Sequence, residues 1–140
     1  MAPAEVPHLY FVSRNDGTHV FAATLALLLG PFQFMQGLRA RRPALHRWLG
    51  RAYLAGGVLI GGLAGLAMSL HASAGPVARA GFACLAIIWL YTGLRAYLAI
   101  RAGEVAAHRR WMVRNFALAF AAVMLRLYLP AAMAAGMAFD

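Results

Sequence analysis

Lysine is absent from the 140 residues: all thirteen basic positions are Arg, set against four carboxylates, Glu5, Asp16, Glu104 and Asp140. So few acids cannot build a carboxylate metal cluster, and no His-x-x-x-His pair supplies a zincin site. The single cysteine, Cys84, excludes an intrachain disulfide and reads as a small buried apolar residue. No nucleophile motif or phosphate-binding glycine loop occurs. The opening stretch, MAPAEVPHLYFVSRNDG, lacks the basic start, apolar core and small-residue cleavage site of a secretory signal and reads as a short mature tail. Charged residues make up only 12% of the chain. What is present instead is apolar: 63% of residues, with a mean hydropathy of +0.67. That balance belongs to an integral membrane protein. The pI of about 11.3 does not indicate nucleic-acid binding, because the Arg residues flank apolar runs instead of lining one solvated face. That arrangement suits the lipid bilayer and its anionic headgroups.

A bilayer core of about 30 Å takes about 20 helical residues, and four stretches qualify: 19–38, 48–70, 80–100 and 111–136. The expectation is an all-α bundle of four transmembrane helices. Residues 1–18 form an extracytoplasmic tail and residues 19–140 a single domain. The links are short, which makes sequential helices antiparallel neighbours. Arg39, Arg41, Arg42, Arg47 and Arg51 surround the first link, and Arg95, Arg101, Arg109, Arg110 and Arg114 the third; Arg14 and Arg79 lie at the opposite side. The positive-inside rule then puts both Arg-rich links in the cytoplasm and both termini outside it. His46-Arg47-Trp48 opens span 2 and His108-Arg109-Arg110-Trp111 opens span 4, so the chain also reads as two pseudo-repeated hairpins.

Helical spacing gathers His19, Ala22, Ala26, Gly30, Gln33 and Gly37 on one stripe of span 1, and Gly57, Gly61 and Gly65 on span 2. Such small faces let helix backbones approach closely in lipid. Pro31 is expected to kink span 1. On span 4 the corresponding stripe runs His108, Met112, Asn115, Ala119, Ala122, Arg126. Arg126 is an intramembrane charge and therefore marks a candidate polar site; Asp16, beside His19, is its expected partner.

Two histidines at one depth on facing helices meet the axial requirement of a b-type haem, and nearby Arg side chains can hold its propionates. His46 and His108 offer this, with Arg42 and Arg109 or Arg110 for the propionates and Gln33 or Asn115 for supporting hydrogen bonds. The same residues also read as helix starts, topology signals and a lipid-headgroup site. His19 and His71 lie at the other end, too far away for one connected relay. Glu104 and His108, at i and i+4, are spaced for a proton-transfer pair or for an ordinary helix-surface contact.

Taken together, the segments GPFQF from Gly30, HRWLGR from His46, HRRWM from His108 and LRLYLP from Leu125 resemble a family of bacterial predicted membrane proteins that carries only a domain-of-unknown-function label. The resemblance runs from about His19 to Pro130 and implies a multi-span inner-membrane protein; it implies no activity, substrate or catalytic residue. Longer members carry further helices, so the ending Met137-Ala138-Phe139-Asp140 fits a short member or a fragment. The HRRWM start of span 4 is also similar to small membrane proteins near respiratory oxidases and to four-helix b-type cytochromes.

Three functional readings follow. The first is a non-catalytic accessory or scaffold subunit with a His/Arg-lined inner face, packed in a larger membrane complex or a homo-oligomer. The second is a redox-associated protein binding haem b. The third is a small carrier for an anionic or weakly basic solute, using Arg126 and the histidines.

Overall fold

The computed structural model describes residues 7–71 and 75–134, with the side chains of residues 7–16, His71, Arg126 and a few others near the end of the chain outside that description. Every element among the described residues is helical: α1 (Pro7–Phe34), α2 (Gln36–Arg41), α3 (Pro43–Arg51), a π-helical stretch (Ala52–Leu59), α4 (Ile60–His71), α5 (Gly75–Arg101) and α6 (Val105–Ala134). The π-helical stretch joins α3 to α4 as one continuous rod.

The interruptions have local causes. Pro31 has no N–H to give the preceding turn. The first helix nonetheless runs through it and ends at Phe34, where Met35 turns extended (φ −71°, ψ 109°). The expected span 19–38 is therefore divided: its last residues belong to α2. A second joint falls at Arg42 (φ −136°, ψ 66°), where Pro43 disfavours helical geometry in the residue before it and then starts α3. The turn from α5 to α6 passes through Gly103 at φ +78°, a conformation that a side chain would strain.

These elements form four rods. The first, α1, packs on α4 and the π-helical stretch; α4 packs on α5; α5 packs on α6; and α6 returns to touch α1. The glycine face of span 2 meets α1 directly. A Cβ built on Gly57 would stand 2.8 Å from the Ala26 Cβ, and one on Gly61 would stand 3.1 Å from the Ala22 Cβ. Gly37 has open space around it, because the break at Met35 rotates it off the stripe that continues along α1.

Ala26 and Ala96 are fully buried beside Tyr53, Trp89 and Met112, whereas Phe21 is 73% exposed and Leu28 63%. Cys84 was expected inside but is exposed, because that part of α5 turns an apolar face outward. Lipid is the solvent that accepts such a surface. Three segments are long and apolar enough to cross a membrane: Gly17–Phe34, Pro43–Leu70 and Gly75–Arg101. The fourth expected span lies in α6, 30 residues long but carrying Arg109, Arg110, Arg114 and Arg126, and it is not among these three.

The two hairpins also differ in construction. The first is broken at Met35 and Arg42 and loosened into a π-helix, whereas the second is two uninterrupted helices.

A candidate ligand cavity at the Arg-rich end

Where α2, α3 and the π-helical stretch leave the straight path of a single helix, the bundle opens. A cavity of about 560 Å³ lies between α1, α3, α5 and α6 at their Arg-rich ends. His46 and His108 both line it, as do Gln33 and Arg109. Its apolar wall includes Leu54, Ile100 and Met112, and its polar rim adds Arg39, Arg47, Arg51 and Arg101. No carboxylate lines it, so the chamber is basic throughout. Ligand pockets commonly run about 300–1,000 Å³.

His108 enters from the first turns of α6. Its Nδ1 lies 2.8 Å from the carbonyl oxygen of Ala96 on α5. A carbonyl only accepts, so in the neutral ring Nδ1 carries the proton and Nε2 the lone pair. Backbone anchoring of one ring nitrogen is how a metal-ligating histidine is oriented. His46, on α3, presents a different picture: its Nδ1 is buried without a hydrogen-bond partner in the chain. The Nε2 of Gln33 is in the same state, while its Oε1 packs close to Gly50. Buried polar atoms are rarely left unpaired, and here two of them border one chamber.

The other anticipated residues separate from this site. Arg42 is exposed and lines no part of the cavity, since it forms the joint between α2 and α3. Arg110 is exposed as well, turned about 100° around the helix from Arg109. Asn115 is fully buried one turn deeper, and its hydrogen bonds go elsewhere. The Tyr53 hydroxyl donates to Asn115 Oδ1 at 2.7 Å, while Asn115 Nδ2 donates to the Trp89 carbonyl and to Thr92 Oγ1, both at 2.8 Å. This ties the π-helical stretch, α5 and α6 together directly beneath the cavity. Glu104 is exposed and meets His108 through a backbone bond, His108 N–H to Glu104 O, at 2.9 Å.

At the opposite end, His19 donates from Nδ1 to the Gly61 carbonyl at 2.8 Å, joining α1 to α4 where a Cβ on Gly65 would also crowd its ring. The side chains of Asp16, His71 and Arg126 lie outside the described residues, and the expected Asp16–Arg126 pair with them. Among the described residues no group of three or more His, Cys, Asp or Glu side chains is placed to hold a metal ion.

Sequence reasoning missed Arg39, Arg47, Arg51, Arg101 and Tyr97 as cavity residues. The signal available was the i, i+4 spacing of Tyr97 and Arg101, now a hydrogen bond of 3.1 Å from Arg101 Nη1 to Tyr97 Oη. The chain belongs to the family described as "Predicted membrane protein (DUF2306)", whose model matches residues 17–140. No curated protein and no solved structure matches it.

Proposed function

We propose that this membrane protein binds haem b in the basic cavity, where His46 and His108 would hold it, and serves as a redox-associated component of a bacterial inner membrane. In this reading the bundle is a four-span one built of two hairpins that enter from the same side. Its Arg-rich end faces the cytoplasm and both termini lie outside. The observation that carries the proposal is that His46 and His108, on different rods, line one cavity of about 560 Å³. His108 Nδ1 is anchored on a backbone carbonyl, which leaves Nε2 for a ligand.

Charge supports the same reading. Two propionates need cations, and the cavity wall offers Arg39, Arg47, Arg51, Arg101 and Arg109 with no competing carboxylate. Bound there, haem would supply one-electron chemistry. The chain's own residues do the rest. The Ala96 carbonyl fixes the tautomer of His108, and Leu54, Ile100 and Met112 provide an apolar wall that limits water. The carrier reading needs Arg126 as well as the histidines, and the side chain of Arg126 lies outside the described residues.

The test is an absorption spectrum of the full chain, purified in mild detergent after expression with ample haem, first oxidised and then reduced with dithionite. The expected result is a Soret band with sharp reduced α and β bands, lost in His46→Ala and in His108→Ala and retained in His8→Ala. A flat spectrum from folded protein overturns the proposal and returns the accessory-subunit reading, in which the outer faces pack against partner subunits or a second copy and the Arg rim holds anionic lipid.

A further inference from the structure

On the outside of the α5–α6 hairpin, separate from the cavity, two guanidinium groups share one indole. The Arg95 Cζ lies 5.0 Å from the Trp111 ring centre and the Arg114 Cζ 4.7 Å from it. Tyr91 completes the cluster, edge-on to Trp111 at 5.9 Å, and its hydroxyl oxygen accepts a 3.2 Å hydrogen bond from Arg95 Nη1. None of the four residues lines the cavity. Tyr91, Arg95 and Arg114 are exposed, and Trp111 is half-buried.

Two cations held against one ring repel each other, and no carboxylate pairs with either among the described residues; the chain has only four acids. Depth narrows the source of the missing anion. The 27 residues of α5 make a rod of about 40 Å, which overhangs a core of about 30 Å by roughly 5 Å at each end. Arg95 stands six residues before the end of α5, about 9 Å in. Its Cα therefore sits just inside the hydrocarbon boundary, and the long side chain carries its charge out to the headgroup level. On α6 the Cβ of Arg114 tilts back toward the same rim. The anion packed densely at that level is the lipid phosphate.

We infer that Arg95, Trp111, Arg114 and Tyr91 form a binding site for the phosphodiester of an anionic glycerophospholipid. The two guanidinium groups, held in place by the indole, donate to the phosphate oxygens. The Tyr91 hydroxyl already accepts from Arg95, so its own proton is available to donate to the same group. The acyl chains lie along the exposed apolar face of α5, where Ile87, Ile88 and Leu94 are about half exposed.

The test uses the full chain in nanodiscs of phosphatidylcholine with increasing phosphatidylglycerol, and counts retained lipid by native mass spectrometry. Wild type is expected to keep phosphatidylglycerol in preference to phosphatidylcholine. Arg95→Gln/Arg114→Gln removes both stacked guanidinium groups and their charge-assisted hydrogen bonds to the phosphate, and is expected to weaken retention about 30-fold. Arg41→Gln/Arg110→Gln, with the same charge change away from Trp111, should cost a few-fold at most. Arg95→Lys/Arg114→Lys keeps the charge and safeguards the test against misfolding; it should also lose the preference, because ammonium groups lack the planar fork. Equal losses in the Gln pair and its control, or an unaffected Lys pair, would reduce the site to general surface attraction and overturn the assignment. So would displacement of the lipid by excess inorganic phosphate, which would make it a soluble-anion site.

Discussion

Asn115 has little freedom. Its carbonyl oxygen accepts from Tyr53 and its amide nitrogen donates to both the Trp89 carbonyl and Thr92 Oγ1, so three segments depend on one side chain. Interhelical hydrogen bonds in membranes average about 0.6 kcal/mol and reach about 1.7, because the separated helices also find partners. Removing the tyrosine hydroxyl with Tyr53→Phe should accordingly cost about 0.6–1.7 kcal/mol. Asn115→Ala is expected to cost more, about 1–3 kcal/mol beyond that, since it leaves the buried Tyr53 hydroxyl without an acceptor and opens a void beside it. Thermal or denaturant unfolding in detergent, followed by helical signal, measures both. Equal costs would mean that the network is not carried by Asn115.

At the scale of the helix, the glycine face of span 2 makes the sharpest statement. Gly57 faces the backbone of Ala26 at distances that admit no larger side chain, whereas Gly37 has open space. Gly57→Val should destabilise the bundle by about 1–3 kcal/mol through overpacking. Gly37→Ala should cost nothing measurable in the same unfolding assay. The first site could be read from the sequence because four-residue spacing of glycine has one geometric meaning on a helix. The same periodicity also predicted the inward positions of Ala22, Ala26, Met112 and Asn115. It failed at Gly37, where the chain leaves the helix at Met35, and it had no means of signalling the π-helical stretch, since 3.6-residue periodicity is the assumption under which faces are assigned. The cavity lies beside that irregular backbone, and π-helical turns recur at functional sites. His46, His108, Gln33 and Arg109 could be anticipated as a polar set near one end. Arg39, Arg47 and Arg51 could not, because an arginine that marks topology and one that lines a chamber look alike in a sequence. The partners of Asn115 were likewise hidden, as they come from distant segments.

For the whole molecule, the ends of the chain report how many times it crosses the bilayer. A four-span chain with its ten link Arg in the cytoplasm would have both termini outside. Alkaline phosphatase fused after Asp140 should then be active and a green fluorescent protein fused there dark, with the pattern reversed for insertions at Gly103. Three spans would put Asp140 in the cytoplasm and invert the first result.

Time enters through the same core bond. Tyr53 and Asn115 are 62 residues apart, so at roughly 5–20 residues per second the tyrosine hydroxyl waits about 3–12 s for its acceptor to be synthesised. Until α6 is made, the Tyr53 hydroxyl lacks the acceptor that Asn115 supplies. Assembly of this bundle therefore has a direction: the most Arg-laden helix is also the one whose amide closes the core.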